Sequence, residues 1–414
     1  MTEKLNLENS IKLYKESFKL VPGGVLGVRR PYNFVIDEYP NFLDSGKGCK
    51  IKDVDNNEYI DMLAAYGPII IGYREDYIDN AVIDQIKNKG FCMTLTQSSQ
   101  NQLIEKIKKY LPSCEKAIIV KTGSDASTLA IRIARGFTDK NIILRCGYHG
   151  WHDWCVEEKG GIPNNSYRDI KEFKYNNLSS LEKLFEENKN QVAAVIMQPI
   201  YTPLVKEVEF PKENYLNEVK KICEKNSALL IFDEIRTGFR VNMGGAQKEY
   251  NIKPDLTLIG KAMANGYPIS AVIGKKEVMN VASHKVFVSS TFFPNSLEQI
   301  ASLKTIEFLE KNNVIETNKN NGKIFADGIL SIIDKKKVNC NFSGSFFMPF
   351  VSFNNYEETV NRKMRTIFYS SVIRSGVFLA PFHHGYIMYR HTLNDLNNVL
   401  DVIEHAFDNV NKNI

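Results

Sequence analysis

Apolar residues recur at helical spacing over residues 6–20, where Leu7, Ile11, Tyr14 and Phe18 form one stripe, and the run stops at Val21-Pro-Gly-Gly24. The pattern predicts an amphipathic arm that needs a surface to lie on. Between Cys49 and Met62 the period changes to an alternation broken by Asn56-Asn57, which predicts a hairpin. Short apolar runs at Ala117–Val120, Asn141–Arg145, Ala193–Gln198, Ala228–Asp233 and Leu256–Gly260 then alternate with helical patterns, the first of them at about Asp125–Phe137. Such alternation predicts an α/β domain: a mostly parallel sheet covered by helices, with its site in the loops at the carboxyl ends of the strands. From about residue 301 the pattern turns to a long helix and scattered strands, closing on a helix near 393–411. The expected division is an arm and hairpin segment at 1–60, a large domain at 61–300 and a smaller α+β domain at 301–414.

Length and composition narrow the class. The chain has 414 residues, 43% hydrophobic and 24% charged, enough for a large core. Its 53 basic and 48 acidic residues leave a net charge of only +5 with the signs interspersed, which does not suggest a nucleic-acid protein. No apolar run approaches the roughly 18–20 residues of a membrane span, and the N-terminus lacks the apolar core of a secretory signal. Seven cysteines, an odd number without metal-ligand spacing, predict reduced thiols and a cytoplasmic setting.

Two strand ends carry capable groups: Asp233 closes one apolar run and Lys261 follows the next. An amine and a carboxylate delivered by neighbouring strands suit a pyridoxal phosphate site, although strands often end in Asp and lysine is abundant here. After Ala117–Val120, the turn Lys121-Thr-Gly-Ser-Asp-Ala126 opens a helix. Its first N–H groups, with the hydroxyls of Thr122 and Ser124, suit a phosphate; an ordinary Thr or Ser helix cap reads the same way. Tyr148-His149-Gly150 follows another strand, so Tyr148 can stack on a planar cofactor or pack in the core, and Gly150 permits close backbone approach. Metal binding by His149 and His152 lacks supporting carboxylates or thiols at ligand spacing.

Seven motifs in order resemble the class III aminotransferases, nearest the glutamate-1-semialdehyde aminomutase branch, from about residue 15 to the end. They are Val21-Pro-Gly-Gly24, Thr122–Ala126, Tyr148-His-Gly150, Asp233-Glu-Ile-Arg-Thr-Gly-Phe-Arg240, Pro254–Lys261, Ser290-Thr291 and Met388–Thr392. The resemblance implies the type I fold of pyridoxal phosphate transferases, with a seven-stranded, mostly parallel sheet and a smaller C-terminal domain. It implies that Lys261 is the Schiff-base lysine and that Asp233 is the acid facing the ring nitrogen. Thr122, Gly123, Ser124, Tyr148, His149 and Ile235 fall at cofactor-binding positions. Thr291 falls where the family reaches the phosphate of a neighbouring subunit, which implies a homodimer. Arg30, with Arg29 as competitor, falls at a substrate-carboxylate position, and His384 in Pro381-Phe-His-His-Gly385 falls where the aminomutases place an acidic substrate contact. No metal is implied.

Three departures separate the chain from that branch. Only Trp151–Gly161 lies between His149-Gly150 and Ile162-Pro163, where aminomutases carry a long mobile segment that retains the intermediate. Gln198-Pro199 stands where the family usually has Glu-Pro, and the pair His383-His384 replaces the acidic contact. A short gate releases its intermediate. The expected activity is therefore transfer of an amino group from a glutamate-like donor to an aldehyde or ketone, with the 2,1-aminomutase reaction of tetrapyrrole synthesis as the alternative.

Overall fold

A computed structural model describes residues 3–203, 206–344 and 346–414. The chain forms two compact units: Asp76–Pro203 with Glu209–Ile315, and Met1–Glu75 with Leu204–Val208 and Glu316–Ile414.

The first of these holds a seven-stranded sheet. Its spatial order is Lys116–Val120, Ser270–Gly274, Leu256–Ile259, Leu229–Asp233, Val192–Met197, Ile142–Cys146 and Ile170–Glu172. Ser270–Gly274 runs antiparallel to both neighbours, and every other pairing is parallel. The five inner strands are buried at every position, because both faces of the sheet are covered there. Ile143, Ala194, Ile196 and Ile231 pack on the helix Gly123–Thr138 through Ala126, Leu129, Ala130, Ile133 and Ala134. Leu144, Val195, Leu230 and Phe232 face the other way, onto Leu181 and Phe185 of Leu178–Glu187 and onto Leu216, Val219 and Cys223 of Tyr215–Lys225. Alternation along each strand thus feeds two cores from one sheet. In parallel packing Asp233 pairs with Leu258, which brings the carboxyl ends of these two strands side by side.

In the other unit, the hairpin Lys50–Asp53/Glu58–Asp61 forms as the alternation predicts, with Asn56 at φ 69° in its turn. Asp53 organises that turn, accepting from the N–H groups of Asp55 and Asn57 at 2.9 and 2.8 Å. Leu43–Lys47 adds on one edge, and Val377–Phe378 adds in parallel on the other. A core of Phe325, Ile329, Phe368, Val372, Val399, Ile403 and Phe407 joins the helices Val314–Lys336, Glu358–Arg374 and Leu393–Asn413. The N-terminal arm helix spans Glu8–Ser17; Leu7 is buried, but Phe18 and Leu20 are 56% and 82% exposed.

The segment after the hairpin is strained. Ala64, Ala65 and Tyr66 all have left-handed backbone, with φ of 50°, 51° and 69°, a conformation each non-glycine residue adopts at a cost of about 1–2 kcal/mol. Asp61 offsets that cost. Its carboxylate accepts from Leu63 N at 2.7 Å, Ala64 N at 3.1 Å and the Tyr73 hydroxyl at 2.6 Å. Burial still pushes the Asp61 carboxyl up to about 6. Asp61→Ala leaves three buried donors unmatched, so equilibrium urea unfolding is expected to show a loss of about 3 kcal/mol or more, with Asp61→Asn losing less. Equal stability of wild type and alanine variant would show that the turn holds itself.

Candidate active site

The site of the sheet-bearing unit is assembled from loops at one edge of the sheet. Lys261 follows Leu256–Ile259 after an extended Gly260, and takes left-handed backbone itself at φ 43°. Its amine is held well below 10.5, chiefly by burial, then by the charges of Arg236 and Arg240, while Asp233 pulls the other way. Burial thus makes this lysine give up its proton more readily than one in water, and once deprotonated the amine can act as nucleophile or base.

Asp233 ends the adjacent strand and is buried. One carboxylate oxygen accepts from Ile235 N at 3.1 Å, and the other lies 2.7 Å from His149 Nδ1. The His149 ring is buried, stacks on Trp154 at 6.4 Å with planes 9° apart, and has no partner at Nε2 among the described residues. Trp154 is fixed in turn by its indole N–H donating to Thr128 Oγ1 at 2.9 Å. The short segment after Gly150 is thus tied to the helix Gly123–Thr138.

Thr122 caps that helix. Its hydroxyl accepts from Asp125 N at 3.1 Å, and the Asp125 carboxylate accepts from Thr122 N at 2.8 Å and Thr122 Oγ1 at 2.7 Å. The Thr-x-x-Asp spacing announces this capping box in the sequence. The N–H groups of Gly123 and Ser124 open the first turn, where no preceding turn can satisfy them. Ile235 lies against this turn and against Gly260: a Cβ on Gly123 would stand 3.4 Å from Ile235 Cγ1, and one on Gly260 would stand 3.1 Å from Ile235 Cδ1. Gly150, at φ 118°, presses on Ser124, where a Cβ would come within 2.4 Å of its hydroxyl. Tyr148 is half-buried, its hydroxyl raised by burial and lowered by Arg236.

Of the other expected residues, Thr291 is exposed on the loop preceding the helix Ser296–Lys311. Arg30 belongs to the second unit, where Nε donates to Val25 O at 3.4 Å within its own loop, while the Arg29 guanidinium lies 5.5 Å over the Tyr66 ring. His384 is fully buried, with Nε2 3.1 Å from the Lys206 carbonyl and its ring 5.0 Å from Phe350. No face of His384 is open to solvent. His383, beside it, meets the edge of Tyr66 at 5.0 Å. Tyr66 and Arg236 were not singled out from the sequence; only the strained turn under one and the burial of the other mark them.

A buried lysine whose amine is lowered by its surroundings, beside a buried acid, under an aliphatic side chain and next to a helix N-terminus that glycines keep open, fits pyridoxal phosphate, and the fold and site together define a type I pyridoxal phosphate enzyme. The chain belongs to the family Aminotransferase class-III, which it matches over residues 35–407. It is 53% identical over 412 residues to a 3-aminobutyryl-CoA aminotransferase of Cloacimonas acidaminovorans (strain Evry), covering 100% of both chains. A glutamate-1-semialdehyde 2,1-aminomutase of Archaeoglobus fulgidus is 34% identical over 428 residues, covering 97% of this chain and 100% of the relative. Among solved structures, the PLP internal aldimine form of the Sphingopyxis sp. MTA144 FumI protein superposes with a TM-score of 0.92 at 27% identity, covering 98% of this chain and 97% of that one. The protein is thus a pyridoxal phosphate-dependent aminotransferase, and the aminomutases are its more distant relations. No described helix is long and apolar enough to cross a membrane.

Proposed function

We propose that this aminotransferase exchanges an amino group between the β-carbon of a short acyl-CoA thioester, of the 3-aminobutyryl/3-oxobutyryl type, and an amino acid and oxo acid pair such as glutamate and 2-oxoglutarate. The observation that carries this reading is the full-length 53% identity to a 3-aminobutyryl-CoA aminotransferase. The short segment tied to Thr128 supports it, because an exchange between two substrates needs release of the first product and no gate to retain it.

Pyridoxal phosphate, when bound, supplies the electron sink that lets the C–H bond beside the substrate nitrogen ionise. In the proposed site Lys261 would hold the cofactor through its amine and, once free of it, would take the proton from that carbon. Asp233, oriented by His149 and Ile235 N, keeps the ring nitrogen protonated. Gly123 and Ser124 would offer N–H groups to the phosphate, Thr122 shapes their turn, and Tyr148 and Ile235 would pack against the ring. Arg30, with Arg29 beside it, is proposed to receive a substrate anion.

The working unit is proposed to be a homodimer in which Thr291 reaches the neighbouring phosphate. Leu95, Phe287 and Phe292, exposed by 79%, 78% and 58%, are apolar groups suited to burial by a second copy. A cytoplasmic setting suits seven free cysteines.

The test supplies purified holoenzyme with 3-aminobutyryl-CoA and 2-oxoglutarate and follows glutamate by mass spectrometry. Free 3-aminobutyrate runs beside it, and glutamate-1-semialdehyde is offered alone. The thioester is expected to exceed the free acid by about 100-fold in kcat/KM, the scale on which a pocket discriminates by added binding groups. Equal use of the free acid would refute the thioester, and donor-free conversion of the semialdehyde would restore the aminomutase.

A further inference from the structure

Arg236 leaves the strand Leu229–Asp233 three residues after the acid and is only 7% exposed. Its Nη1 donates to Thr202 O at 2.5 Å and to Thr202 Oγ1 at 3.0 Å. Among the described residues no carboxylate forms an ion pair with it. A buried cation without a counter-charge is costly, and the cost is removed when an anion arrives.

Gln198 meets the same threonine hydroxyl that holds this cation. Its Oε1 accepts from Thr202 N at 3.1 Å and Thr202 Oγ1 at 3.2 Å, and its Nε2 donates to Tyr148 O at 3.3 Å. Thr202 thus ties a neutral amide and a charged guanidinium into one network. Nε and Nη2 of Arg236 have no protein acceptor among the described residues. The same guanidinium lowers both Lys261 and Tyr148, so its charge bears on the space those two groups border.

We infer that Arg236 is the carboxylate anchor for the amino acid and oxo acid co-substrate, kept receptive because position 198 is an amide. A guanidinium held at one nitrogen keeps its remaining N–H groups for a planar, two-point grip on a carboxylate. A β-amino acyl thioester has no carboxylate at its reacting end and gains nothing from this grip. Arg236 therefore separates the two half-reactions. The thioester arm of this inference rests on the proposed function; the carboxylate arm does not.

The test measures glutarate, an unreactive dicarboxylate, binding to holoenzyme by calorimetry, and single-turnover half-reactions with glutamate and with 3-aminobutyryl-CoA. In Arg236→Gln, glutarate affinity is expected to fall and the glutamate KM to rise by about 30-fold or more, the loss that follows removal of a charged hydrogen-bond donor. Loss of the charge near Lys261 is expected to change kcat of both half-reactions alike, while the KM for the thioester stays within about threefold, and Arg236→Lys is expected to fall between wild type and Arg236→Gln. Gln198→Glu keeps the guanidinium but neutralises it, and is expected to weaken glutarate binding to a similar degree even if Arg236→Gln does not fold. Undiminished glutarate affinity in these variants, or an equal rise in KM for glutamate and for the thioester, overturns the assignment. If wild type rejects the thioester altogether, the substrate reading fails while glutarate and glutamate still decide Arg236.

Discussion

Replacing Lys261 by alanine is expected to abolish amino transfer, with turnover falling by about a thousandfold or more, because the variant loses the buried amine that carries the proton. The visible band of the lysine-linked cofactor should vanish, while the protein remains folded. Arginine at this position should be no better, since it stays charged and cannot accept the proton. A variant that keeps both the band and the turnover would move the chemistry to another residue.

The amine also predicts a pH dependence of the cofactor-free protein. Burial holds Lys261 below 10.5, so between its folded value and 10.5 the folded chain binds fewer protons than the unfolded chain. Stability therefore rises with pH through that window, and the desolvation penalty present at neutral pH fades toward 10.5. Cofactor-free Lys261→Met should melt above wild type at neutral pH, and the gap should narrow as pH increases. A gap that widens would mean the buried amine is charged.

Asp233→Asn is expected to slow both half-reactions nearly a thousandfold. Opposite charges about 4 Å apart at a partly screened site attract by about 4 kcal/mol, and each 1.4 kcal/mol is a factor of ten. An amide cannot hold the ring nitrogen protonated, and it also gives His149 Nδ1 a neutral partner in place of a charged one. The effect should fall on kcat in both directions, since every proton transfer uses the same electron sink. Loss confined to one half-reaction would show that Asp233 serves a substrate and not the ring. His149→Ala should follow it more weakly, since it removes only a neighbour that orients the acid.

Much of the sheet was legible because each strand is a short apolar run ended by polar chemistry. Five of its strands, the helix after Thr122 and the hairpin around Asn56 follow from period and turn residues alone. Ser270–Gly274 and Ile170–Glu172 did not, being five and three residues long. Runs so short carry too few periods to distinguish strand from loop, and no pattern within a strand states whether it runs parallel or antiparallel. The arm helix was read about five residues too long because its stripe continues through Phe18 and Leu20 without being covered within the chain.

By itself the sequence determined that Asp233 and Lys261 close successive apolar runs, that a capped helix follows Ala117–Val120, and that an aromatic and a histidine follow the next strand. These are local facts, set by periodicity and by which residues end a strand. Only the tertiary structure decided that burial lowers the lysine amine, that Arg236 is buried with no carboxylate paired to it among the described residues, and that His384 is buried. Desolvation and ion pairing belong to the surroundings, and the surroundings come from segments far apart in the chain. Residues 1–75 and 316–414 share one unit for the same reason. The entropy of closing a long loop grows only with the logarithm of its length, so distant segments can pack together, and nothing in either stretch names its partner.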